Sequence, residues 1–172
     1  MSSSEGRRSS RCVRHVAAFA LALASAGCGF HLRGDVTLAF SSAYVNAPAA
    51  SPLATELKRT LEGSGTRIVE TANAAQVTLD LSGVADNKEV LSLSGGGRVR
   101  EYALSKRVTF AIHDTEGHDW MPAAEIVVRR SYSFNESEVL AREAQEAKLL
   151  KEMQTDAVQQ IVRRLQAAKK PE

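Results

Sequence analysis

A chain of 172 residues, 44% of them hydrophobic and only two of them cysteine, has the length of one domain and enough apolar side chains to bury a core. It needs no disulfide or metal framework. The first 27 residues hold four of the 22 basic and one of the 20 acidic residues, which leaves 18 and 19; the remainder is near neutral, so the basic pI is no argument for nucleic acid, and no nucleic-acid partner is expected.

Arg7, Arg8, Arg11 and Arg14 precede a short apolar run, Val16 to Ala24, and then Ser25-Ala26-Gly27-Cys28. Basic, apolar and small-residue segments in that order make a secretory signal. The run is shorter than the roughly 20 residues that span a bilayer. Small residues directly before a cysteine look like a lipobox, in which Cys28 becomes the acylated N-terminus; Ser25 stands where a larger aliphatic residue is usual. The plain alternative is ordinary secretion with a chance cysteine. No second apolar segment is long enough to cross a membrane, so attachment would rest on the lipid. The expected organisation is a signal over 1–27, a lipidated tether over 28–39 and a single α+β domain over 40–170.

Phe40 to Asn46 reads as a first strand, ended by Pro48. Ser51-Pro52 opens a helix, with Ser as N-cap and Pro in the first turn. Leu53, Leu57 and Leu61 recur at helical spacing until Gly63-Ser64-Gly65 stops it. Ile68-Val69 gives a short returning strand, so strand, helix and strand make a βαβ-like unit. Val77, Leu79 and Leu81 then alternate, the phase slips at Gly83, and a bulge is expected there. Ser94 to Gly97 is a turn; Tyr102, Leu104, Val108, Phe110 and Ile112 alternate after it. Thr115 to His118 is a second turn, with Trp120-Met121-Pro122 beside it, and Ile126, Val128, Tyr132 and Phe134 make the last strand. These three strands form an antiparallel meander with one wet face. Asn135 and Glu138 resemble a capping box for a long helix to about Ala168, striped by Leu150, Met153, Ala157, Val158, Ile161 and Leu165. The fold class is α+β: a mixed or antiparallel sheet of four to five strands with two helices on one face.

Chemistry is sparse. Gly63-Ser64-Gly65 lacks the spacing of a nucleophile elbow, and Gly95-Gly96-Gly97 lacks the Gly-Lys-Ser/Thr of a P-loop. His113, Asp114, Glu116, His118 and Asp119 are ligand types, but a turn is polar anyway and their spacing matches no known metal pattern. No catalysis, metal or cofactor is expected. Arg98 and Arg100 beside the glycine turn, with Arg142 early in the long helix, would suit phosphate, which Arg binds in bidentate fashion. Trp120 in a turn region would be an exposed anchor or would pack on the domain's own sheet edge.

Cys28-Gly29-Phe30-His31-Leu32-Arg33, Ser51-Pro52-Leu53, Glu101-Tyr102, Leu140-Ala141-Arg142, Lys151-Glu152-Met153 and Arg163-Arg164-Leu165 resemble the LptE family of lipopolysaccharide-assembly lipoproteins. The resemblance implies a non-enzymatic outer-membrane lipoprotein on the periplasmic side, plugging an LptD-like β-barrel and binding the lipid A phosphates of lipopolysaccharide through basic residues at a hairpin tip and in the second helix. Arg142 falls on the helix position. At the hairpin, Gly95 to Gly97 stand where the family has an arginine, and Arg98 and Arg100 follow. Gly29, Cys28's neighbour, is not the Asp that retains lipoproteins in the inner membrane. Gly96, His118 and Trp120 are the expected barrel contacts. Two other classes stay open: a periplasmic ligand-binding lipoprotein without a barrel partner, and an exported hydrolase, for which no convergent set is visible.

Overall fold

The computed structural model describes residues 37–133 and 139–171, with the long helix's side chains from Glu143 onward. They fall in one compact unit, Val36–Glu172. The lipidation candidate Cys28 and the Asn135–Glu138 capping box lie outside the described residues.

In chain order the elements are β1 (Ser42–Asn46), α1 (Pro52–Gly63), β2 (Arg67–Ile68), a 3-10 turn (Ala72–Ala74), β3 (Val77–Leu93), β4 (Val99–Asp114), β5 (Asp119–Ser133) and α2 (Val139–Gln166). The five strands form one mixed sheet in the order β2-β1-β3-β4-β5. β1 runs parallel to β2 and β3, and β3, β4 and β5 are the antiparallel meander.

Local chemistry sets the elements. Ser51 Oγ accepts from the Ala54 N–H at 3.3 Å, and Pro52 fills the first helical position. Gly65, at φ +84°, turns the chain out of α1 toward β2. The phase slip at Gly83 is a bulge, with the register shifting between Leu81 and Gly83. The last strand starts earlier than the sequence suggests: Trp120, Met121 and Pro122 belong to β5, not to the preceding turn. Pro122 is tolerated because β5 is an edge strand.

Val45, Leu79, Leu81, Val108, Phe110, Ile112 and Ile126 share one sheet face and pack against Leu53, Leu57 and Leu61 of α1 and Met153, Ala157, Val158, Ile161 and Leu165 of α2. Both helices therefore cover the same face. Glu56 ties them, accepting from Gln154 Nε2 at 2.6 Å and Thr155 Oγ1 at 2.7 Å. The opposite face is wet and carries Asn46–Asp80 at 2.6 Å, His113–Asp80 at 3.3 Å and a bidentate Arg107–Glu125 pair at 2.8 Å.

Candidate functional site: the hairpin half of the helix-covered face

The sheet outruns its own core. β1 accompanies β3 only as far as Asp80, yet β3 and β4 continue as a hairpin to Leu93 and Val99. Along that extension the helix-side rows change character. Asp86, Lys106 and Val128 form one cross-strand row, Lys88, Leu104 and Arg130 the next, and Val90, Tyr102 and Tyr132 the outermost.

Each charge in these rows has an assigned partner. Lys106 is buried, its side chain 5% exposed, and pairs with Asp86 at 2.6 Å. Arg130 pairs with Asp156 of α2. Lys88 pairs with Glu146 of α2 and lies 4.5 Å above the Tyr102 ring, which stacks on Tyr132 at 5.7 Å. Tyr132 Oη donates to Glu146 Oε2 at 2.6 Å. Glu146 raises the Lys88 ammonium above its ordinary value, against a lesser lowering by burial. Burial pushes the Tyr132 phenol up, and its bond to Glu146 adds to that. This cluster was not singled out from the sequence. Its available signal was the alternation of Asp86, Lys88 and Val90 beyond the Gly83 slip, which sets polar residues on a face that is otherwise apolar.

At the tip, Gly97 has φ +75°, its N–H donates to the Ser94 carbonyl at 2.9 Å, and Ser94 Oγ accepts from the Arg98 N–H at 3.2 Å. β4 begins at Val99, so Arg98 lies in the turn and strand alternation places only Arg100. Arg100 is exposed, in the Tyr102 phase, and has no ion-pair partner among the described residues. Arg98 is exposed too, with a partner of its own. Arg142 lies in the first turn of α2 and its side chain is outside the described residues; Glu146, one turn on, packs at Tyr132 and Lys88. The tip also carries exposed Val90, Leu91 and Leu93. Cations next to apolar side chains can hold an anionic headgroup and the start of its hydrocarbon together.

The expected contact residues are not brought together. Gly96 sits in the β3–β4 turn and His118 in the β4–β5 turn, at opposite ends of β4, roughly 50 Å apart for a 16-residue strand. Of the two readings of Trp120, packing within the domain holds and the exposed anchor does not: it is 5% exposed and packs edge-on against Phe40 at 6.0 Å. Its β5 position turns the ring onto Phe40, two residues before β1, and the Lys169 N–H closes on its carbonyl at 3.4 Å. His113 and His118 part company, the first facing Asp80 on the wet face and the second facing Asp114 at 3.2 Å, and no metal-ligand group assembles among the described residues.

Sheet, paired helices and amphiphilic hairpin define a two-layer α+β domain. The family profile for LptE, described as lipopolysaccharide-assembly, matches residues 36–165, and the chain belongs to that family. It is 31% identical over 147 residues to the LPS-assembly lipoprotein LptE of Yersinia pestis, covering 83% of this chain and 70% of that one. To the LPS-assembly lipoprotein LptE of Photorhabdus laumondii it is 28% identical over 146 residues, 83% and 79% of the two chains. Among solved structures it resembles an uncharacterized lipoprotein B from Nitrosomonas europaea, with TM-score 0.72, 35% identity and coverage of 81% and 91%. A minor lipoprotein from Acinetobacter baumannii shares the fold, with TM-score 0.64, 24% identity and coverage of 78% and 100%. No helix among the described residues is long and apolar enough to cross a membrane.

Proposed function

We propose that this chain is the lipoprotein component of an outer-membrane lipopolysaccharide assembly complex. It is acylated at Cys28, held in the outer membrane facing the periplasm, seated in an LptD-like β-barrel, and binds the lipid A phosphates through Arg98, Arg100 and Arg142. Membership of the LptE family over 36–165 carries the reading. Two relatives over 80% of the chain are named LPS-assembly lipoproteins. The exposed Arg100, free of an ion pair among the described residues and next to an apolar tip, supports a phosphate-bearing amphiphile as ligand. Gly96 and His118, at the two turns, are the expected barrel contacts; Trp120 supports the His118 end from within.

Binding to immobilised lipopolysaccharide tests the site. Charge-assisted contacts contribute about 1.5–3 kcal/mol each, so changing Arg98, Arg100 and Arg142 together to Ala should weaken retention well over tenfold. Arg107→Ala, on the wet face, should leave it unchanged. Equal retention of triple variant and wild type would reject the site. Co-purification of a large barrel protein with the tagged chain, and fatty-acid labelling lost in Cys28→Ala, test partner and anchor. A monodisperse chain with neither barrel nor label would leave the soluble ligand-binding reading ahead.

A further inference from the structure

β3 is 17 residues long, but β1 runs beside it only over Val77–Asp80. β1 ends at Asn46, and Pro48, which has no N–H for a ladder, precedes the departure of the chain into α1. From Leu81 to Leu93 the outer edge of β3 has no neighbouring strand among the described residues. Between the bulges at Leu81/Gly83 and Val90/Ser92, Gly83 to Val90 pairs with β4 in unbroken register. That stretch is a regular edge of about 25 Å, long enough for a full partner strand.

An open edge invites pairing, and proteins blunt it with proline and protruding charge. The β5 edge is blunted: it contains Pro122, it exposes Arg129, and the carbonyls of Trp120 and Arg129 already accept from the Lys169 N–H and Arg130 Nη1. The β3 edge is not. It has no proline, and two of its three charges are paired within the domain, Asp86 with Lys106 and Lys88 with Glu146 and the tyrosine rings, while both keep solvent-exposed side-chain surface. Glu89 alone stands exposed and unpaired among the described residues. The large exposed hydrophobics, Val90, Leu91 and Leu93 at 50%, 54% and 57%, follow it directly. Charges that would repel an incoming strand are neutralised internally, and the apolar surface that would reward one is left bare.

The geometry points to the outer edge of β3, Gly83 to Val90, as a docking site for an extended strand of a partner protein, added beside β3 in the place β1 vacates. The partner strand carries apolar side chains where it meets Val90 and Leu91 and a basic side chain opposite Glu89. The two sites share the exposed Val90 and Leu91, but the anion site's arginines lie in the turn and on β4 while the docking site is the backbone edge of β3, and the two-residue crosslinking step reads that edge alone.

The test is photo-crosslinking in cells of the natural host, with the full chain carrying the crosslinker at Ala85, Asn87 or Glu89 and, as controls on the β5 edge, at Ala123 or Ser131. The attachment points are read by mass spectrometry. The expected result is one partner polypeptide touched at positions that step by two residues as the crosslinker steps by two, which only a paired strand produces. Crosslinks should be absent at Ala123 and Ser131. With the crosslinker at Asn87, Leu91→Lys should cut the yield by roughly tenfold, while the thermal midpoint stays within about 2 °C. No crosslink at Ala85, Asn87 or Glu89, attachment without the two-residue step, or equal yield from the β5 controls overturns the proposal. Crosslinks to a second copy of this chain overturn it as well, in favour of self-pairing.

Discussion

Lys106 offers a quantitative test of the hairpin. Its ammonium is buried on the helix side of β4 and pairs with Asp86, its one ion-pair partner among the described residues, across the β3–β4 ladder. Removing one member of a buried pair strands the other charge and costs about 3–5 kcal/mol when both are buried. Asp86 is 48% exposed, so water already screens part of the pair, and Asp86→Ala should cost about 1.5–3 kcal/mol. Lys106→Met keeps the aliphatic stem and removes the charge that needs a partner, so it should lie within about 1 kcal/mol of wild type. Asp86→Ala combined with Lys106→Met should be more stable than Asp86→Ala alone. Urea unfolding followed by circular dichroism gives all four corners of the cycle. The competing possibility is that Lys106, once released, extends its stem and reaches water. Asp86→Ala would then be almost neutral and Lys106→Met would not rescue it, which would refute the reasoning that the pair fixes the hairpin stem.

Two further outcomes are expected. Ser51→Ala removes the side-chain acceptor at the start of α1 and should cost about 1 kcal/mol, read as a lowered urea midpoint with unchanged slope. Lys88 and Tyr132 both titrate above their ordinary values in the folded chain, so both stabilise it while protonated and stop doing so as pH rises through those raised values. The thermal midpoint should therefore fall above about pH 10, and Glu146→Gln, which removes the largest cause at Lys88, should flatten that fall; parallel alkaline limbs for the two proteins would count against the cluster.

What was legible in the sequence is what periodicity and turn chemistry encode. Leu53, Leu57 and Leu61 announced α1, the Gly83 slip announced the bulge, and Met153 to Leu165 announced the buried stripe of α2. Trp120 was misplaced because Pro122 reads as a breaker, and only the sheet's edge, a property of topology, excuses a proline in a strand. Of the candidate site, the arginines flanking the turn were visible as residues. Their inequality was not: Arg98 has a partner and Arg100 has no ion pair among the described residues, and that depends on where β4 begins. The Lys88–Tyr102–Tyr132–Glu146 cluster joins residues up to 58 apart in the chain, and no local pattern encodes such a meeting.

The division of the sheet at Asp80 has a consequence for how stability and function are shared. Below it, β1 and both helices bury an unbroken set of aliphatic side chains, where the loss of one large residue typically costs 2–5 kcal/mol. Above it, the same β3 and β4 have a strand on only one outer side, and paired charges and stacked tyrosines are interleaved with the last buried aliphatic side chains, Leu104, Val108 and Val128. Polar pairs contribute less to stability than the aliphatic side chains they replace, but their geometry is directional. They fix where the tip stands relative to α2 without making it part of the core. The tip can then expose Val90, Leu91, Leu93 and Arg100 while the core below keeps the domain folded without them.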